Sequence, residues 1–120
     1  MSPSRSFEDV AVWQKAHVWV LAIYRYSAKM PKHELFGLTS QLRRAAVSVP
    51  ANFAEGFKRQ SRMDKLRFYN IAQGSLEECR YYLRLAQDLG YGDASKLQVD
   101  LCEISQMLES YVRKVRDAAM

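Results

Sequence analysis

Apolar positions recur at three- and four-residue spacing along most of this chain, and no stretch alternates in the period of two that a strand requires. Four amphipathic helices are therefore expected. The first covers residues 8 to about 30, introduced by Ser6 with Asp9 three positions on as its capping-box partner, and stopped by Pro31. Its stripe of Trp13, Ala16, Val20, Ile23, Tyr24 and Ser27 is widened by Val12, Trp19 and Met30 on one side and by His17, Leu21 and Ala28 on the other. The apolar arc is roughly 200°, about twice what one buried face needs. One bundle core does not hide that much, so Trp19 and its neighbours, Trp13 among them, are candidates for a subunit interface.

The second helix opens at Gly37 and extends to Phe57 or Lys58. Leu38, Leu42, Ala45, Val49, Phe53 and Gly56 share one face, and Asn52 falls on it too. Pro50 removes a backbone donor and should bend or split the helix just before itself. An Asn on a core face needs hydrogen bonds or costs about 1–3 kcal/mol, and carbonyls released by the bend are candidate partners. Asn52 and Pro50 accordingly read as structural. Arg44, Ser48 and Glu55 share a narrow sector, so Arg44 and Glu55 are expected either to bridge across the kink or to meet another helix or subunit, and Arg43 is the freer of the two arginines.

Ser61 caps the third helix, with Asp64 in the box position, and Gly90 supplies the C-cap setting after Leu89. Its predicted core stripe is Phe68, Ile71, Ala72, Ser75, Cys79, Tyr82, Leu83, Ala86 and Leu89, with Gly74 and Ser75 small enough for close helix approach. The other side presents Arg62, Tyr69, Gln73, Arg80, Arg84 and Gln87, the most positive stripe in the chain. The fourth helix begins after Asp93 and carries a heptad seam of Leu97, Leu101, Ile104, Leu108, Tyr111 and Val115. Short connections then give an all-α, antiparallel up-down-up-down four-helix bundle, one domain over residues 1–120, with its second helix kinked near Pro50.

Charge adds a second layer. The formal net charge is +5, and residues 25–67 hold ten Lys or Arg against Glu34, Glu55 and Asp64, leaving the rest of the chain at −2. Lys58, Arg59, Arg62, Lys65 and Arg67 crowd the junction of helices two and three. With Arg43, Arg80 and Arg84 they are the candidate nucleic-acid contacts, because clustered charge of one sign focuses potential on a polyanion. No sequence-reading module is recognisable, so binding would rest on salt-sensitive phosphate contacts. No segment approaches the roughly 20 apolar residues of a membrane span, and the N-terminus lacks a signal-peptide run, which predicts a soluble, intracellular protein. Cys79 and Cys102, without ligand spacing, read as reduced structural thiols.

Catalytic chemistry has no positive sign. The Glu-x-x-His pair of di-metal bundles is missing, and His17 and His33 stand at no convincing ligand spacing. His17 reads as a packing residue with one hydrogen bond, and His33 as exposed. The five glycines are dispersed, so no phosphate loop exists, and Glu77 and Glu78 point about 100° apart on a helix. No enzyme activity, metal or cofactor is expected.

Three segments carry a family resemblance: FEDVAVWQKA, FGLTSQLRRAAVSVPANFAEGFKR and FYNIAQGSLEECRYYLRLAQDLGY. In that order, over residues 7 to about 116, they resemble the proteins encoded by 23S rRNA intervening sequences, often called four helix bundle proteins. A relative of that family is the accessory variability determinant of diversity-generating retroelements. The resemblance implies a cytoplasmic bacterial bundle that assembles as a ring-like homopentamer, with no enzymatic activity. In the retroelement branch the pentamer is basic and binds nucleic acid and a reverse transcriptase. The expected function is thus a non-enzymatic homo-oligomer offering a basic surface to RNA or other nucleic acid; the alternative is a scaffold or accessory subunit for a nucleic-acid enzyme such as a reverse transcriptase.

Overall fold

The capping box at Ser6 forms, but on a shorter element than the sequence predicts. In the computed structural model, which describes residues 4–118, the Ser6 hydroxyl accepts the Glu8 N–H and Asp9 accepts the N–H of Ser6, closing a 3-10 turn over Phe7–Asp9. Val10 is then extended, and α1 runs Ala11–Ala28. The box satisfies its donors within that one turn, so the long helix starts afresh behind it. A second 3-10 turn, Lys32–Glu34, precedes α2, Leu38–Lys58; α3 spans Arg62–Asp88 and α4 spans Ser95–Asp117. No strand occurs among the described residues.

Each helix runs antiparallel to its neighbours, as the cross-helix contacts require. The Arg43 Nε near the start of α2 donates to Ser27 at the end of α1 (2.7 Å), while Ser48 and Ser75 hydroxyls meet at 2.8 Å between the middles of α2 and α3. Gln73 reaches Ser105 and Gln98 reaches the Arg80 carbonyl between α3 and α4. Trp19 of α1 donates its indole N–H to the Leu97 carbonyl of α4 (3.1 Å), and Lys15 pairs with Glu103 (2.8 Å). The up-down-up-down bundle expected from the sequence is the fold.

Its core includes Ile23, Leu42, Val49, Phe53, Leu76, Leu83, Leu101, Ile104 and Leu108, with Tyr111 and Val115 packed partly buried at one end. The α4 seam therefore falls where the heptad predicts. Trp19 does not remain at a free surface: it is 2 % exposed, its ring in the monomer core and its N–H satisfied across the bundle. The uncovered part of the wide arc is the opposite edge, with Leu21 and Tyr24 exposed and Val18 beside them. Trp13 is half-buried, stacked on an exposed His17 at 5.0 Å and met edge-on by Phe7 at 4.9 Å.

Pro50 does not split α2, which continues as one helix from Leu38 to Lys58. Nor does Asn52 use the carbonyl that Pro50 deprives of a donor, that of Ala46. Its amide instead donates to the carbonyl and hydroxyl of Ser48, both at 2.8 Å, and Ser48 continues the link to the buried Ser75. Small residues matter where α2 and α3 approach. A Cβ on Gly56 would lie 2.7 Å from Tyr69 Cε1 and 3.0 Å from Phe68 Cβ, so that glycine is a contact point. Gly74, expected to play this part, has nothing within 4 Å of such a Cβ.

The core face of α3 is rotated from the predicted stripe. Tyr69 and Leu76 are fully buried, whereas Ile71 and Leu89 are about half exposed. Ser61 accepts the Asp64 N–H at one end of the helix (3.1 Å). At the other, Gly90, at φ +82°, donates to Gln87 while Tyr91 donates to Ala86, the two bonds of a Schellman turn that only a left-handed residue closes easily.

Candidate nucleic-acid interface and assembly face

At the α2–α3 junction, three residues turn the chain between helices, and the cations there divide by what they already hold. Lys65 is a C-terminal cap: its Nζ donates to the carbonyls of Phe57 (2.7 Å) and Gly56 (3.3 Å), neutralising the end of α2, and burial lowers its pKa. It is the least available of the cluster. Arg59 pairs with Glu55 (2.8 Å) and lies over the Phe68 ring, its guanidinium carbon 4.8 Å from the centroid. Arg67 lies over that same ring at 5.2 Å and pairs with Asp64 at 3.7 Å. Both pairs are exposed, of a kind contributing about 0–1 kcal/mol and screened by salt, so they orient the guanidiniums without neutralising them. Lys58 makes no ion pair among the described residues.

Arg62 donates to the Arg116 carbonyl (2.9 Å), which fixes α4's end beside this junction. Arg116 thereby joins the cluster, facing Leu66 and Asn70 of α3 at a point that no linear spacing reveals, whereas Lys114 lies on the α1 side of α4 with Val10, Ala11 and Tyr111. Beyond Arg62, the predicted α3 stripe does not join it. Tyr69 faces inward, stacked on Phe53 (5.1 Å) and edge-on to Tyr111 (5.6 Å), with its phenol pushed up by burial and by the adjacent Tyr111. Gln73 pairs twice with Ser105, Gln87 accepts the Ala94 N–H, and Arg80 holds both Glu77 and the Cys102 sulfur at 3.2 Å. What reads as a basic and hydrogen-bonding face is the polar seam that joins α3 to α4. Arg84 stays outside, paired with Asp88 (2.9 Å).

Of the two adjacent arginines, Arg43 is the one held and Arg44 makes no bridge to Glu55. Arg43 is half-buried, donating to Ser27 and to the Tyr24 carbonyl (3.4 Å) and lying 4.7 Å over the Tyr24 ring. Arg44 does not reach Glu55, which Arg59 has taken; it is exposed and holds no hydrogen bond or ion pair among the described residues. It stands between two open grooves. One, about 610 Å³ between α1 and α2, is lined by Tyr24, Leu35, Phe36, Ser40, Arg43 and Val47 among others. The other, about 330 Å³ between α2 and α3, has Gln41, Ser48, Ser75, Glu78 and Tyr82 around Arg44. Phe36 is 93 % exposed at the rim. Apolar and aromatic side chains about one unpaired arginine have the composition of an interface centre. The wide apolar arc of α1 was the signal for this face; its location needed the three-dimensional fold.

No group of three or more His, Cys, Asp or Glu is placed to hold a metal among the described residues, and no helix is long and apolar enough to cross a membrane. Both cysteines are free thiols; burial, with Glu78 adding to it, pushes Cys79 up to about 12, far from a reactive thiolate.

Comparison with curated proteins returns no match. Among solved structures, a protein of unknown function from the S23 ribosomal protein family of Bacteroides thetaiotaomicron superposes with a TM-score of 0.78 at 26 % identity, covering 85 % of this chain and 98 % of that one. The family profile described as 23S rRNA-intervening sequence protein matches residues 8–110, most of the bundle including both grooves and the α2–α3 junction. The chain belongs to the 23S rRNA-intervening sequence protein family.

Proposed function

We propose that this protein is a non-enzymatic, cytoplasmic homo-oligomer, a pentamer by its family resemblance, whose basic end binds RNA or other nucleic acid with weak sequence selectivity. One observation carries the reading: cations distant in sequence, Lys58, Arg59, Arg62 and Arg67 with Arg116, converge at one end of the bundle through the Arg62–Arg116 contact. Lys65, Arg80 and Arg43 have structural duties instead, and Arg84 lies apart. Repeating one modest patch around an oligomer turns weak phosphate contacts into an avid surface. Self-association is supported by the α1–α2 groove, where Phe36 is 93 % exposed and Tyr24, with Arg43 over one face of its ring, is still partly uncovered.

Fluorescence anisotropy with RNA across a salt series tests the binding, and absence of binding even at low salt refutes it. Light scattering tests the assembly. Wild type is expected above monomer mass and Phe36→Asp at monomer mass; a monomeric wild type ends this part of the proposal. A second reading, a scaffold for a nucleic-acid enzyme such as a reverse transcriptase, draws on the same groove. A partner retained in pull-down after nuclease treatment favours it; a partner lost favours RNA bridging.

A further inference from the structure

The basic end contains one feature that phosphate attraction alone does not need. Two guanidiniums, from Arg59 and Arg67, lie over the single Phe68 ring, at 4.8 and 5.2 Å. Arg59 belongs to the end of α2 and Arg67 to α3, and they meet where Gly56 lets the helices close until the Phe68 Cβ lies only 3.0 Å from the place a Cβ on residue 56 would take. Glu55 and Asp64 each hold one guanidinium from the side. Those carboxylates offset the repulsion of two cations on one ring. Met63, 82 % exposed, lies one turn before Arg67 on the same helix face and extends the apolar surface.

We infer that Arg59, Phe68, Arg67 and Met63 form a stacking platform for the bases of single-stranded RNA. The inference rests on the nucleic-acid reading above and narrows it. Bases paired in a duplex expose only their edges, and an A-form helix offers no face to stack on; unpaired bases stack readily on aromatic rings and on guanidinium planes. The ring orients both planar cations, so a base meets preformed flat surfaces. Lys58 beside Arg59, carrying no ion pair among the described residues, is placed to meet the backbone phosphate of the same strand.

The test separates planarity from charge. Full-length protein and its Arg59→Lys/Arg67→Lys variant are titrated by anisotropy into a labelled 20-nucleotide single strand and into an RNA duplex of equal length, at one fixed salt concentration. Both lysines keep the charge and lose the plane. Roughly tenfold weaker binding of the single strand, with duplex binding weakened by no more than about threefold, is the expected result. Phe68→Leu should reproduce the effect, with circular dichroism checking that the helices persist. Lys58→Ala should weaken both ligands alike. If the lysine variant binds both RNAs as wild type does, or loses both equally, the platform is wrong while the basic end stands. If wild type binds neither RNA at low salt, the underlying reading falls and the platform with it.

Discussion

Two glycines inside helices give opposite predictions for the same substitution. Gly56→Ala places a methyl carbon 2.7 Å from Tyr69 Cε1 and 3.0 Å from Phe68 Cβ. Neither neighbour moves easily: Tyr69 is fully buried and held between Phe53 and Tyr111. Overpacking of this kind costs about 1–3 kcal/mol, and rigid surroundings favour the upper end. The helix gains up to about 1 kcal/mol from replacing glycine by alanine. The net is a loss of about 2 kcal/mol, or roughly 10 °C in melting temperature for a domain of this size. Gly74→Ala meets nothing within 4 Å and keeps only the gain, about 0.5–1 kcal/mol. Urea titrations followed by circular dichroism at 222 nm measure both. The reasoning is refuted if Gly56→Ala matches wild type, or if both variants move in the same direction.

Further outcomes can be stated briefly. Trp19→Phe removes the indole donor to Leu97 and leaves a void, so it should cost about 1–3 kcal/mol by denaturant titration without changing oligomer mass; a change of mass with unaltered stability would restore Trp19 to the interface. Ser61→Ala should cost about 1 kcal/mol of stability through the lost cap on α3. Glu34 accepts the Leu38 N–H and the Tyr91 hydroxyl, which hold its carboxyl below the ordinary glutamate range. Its contribution is therefore present above the unfolded-state pKa and is lost as pH falls through the lower folded value. Melting temperatures from pH 7 down to 3 should fall less steeply for Glu34→Gln than for wild type; parallel curves would remove Glu34 from the acid limb.

The fold was largely legible because it depends on period and punctuation. Ser61, Gly90 and the α4 seam each act within a few residues, and all stand where local rules put them. Errors arose wherever a helix has more than one packed face. On α3, period alone does not tell a polar side that meets water from one that meets α4, so Arg80 and Gln73 read as surface although they join two helices. Arg43 and Arg44 differ by one helical step, too fine a rotation to decide which reaches Ser27. Trp19 illustrates the converse: the excess apolar width of α1 is real, but which edge stays uncovered depends on where α4 docks.

The Asn52–Ser48–Ser75 link also has a bearing on how the chain avoids its own near misses. The face α3 turns toward α2 carries Ala72, Ser75 and Cys79 in succession, one turn apart, all buried. A slip of one turn would set Ser48 against Ala72 or Cys79, where a methyl group offers no hydrogen bond and a thiol only a weak one. Around Ser75 apolar contact alone would tolerate that displacement, since small groups would still meet small groups there, and only the close approach at Gly56 would resist it sterically. The three polar residues make it expensive, and so act as a vernier that admits one alignment of the two longest-packed helices and rejects its neighbours.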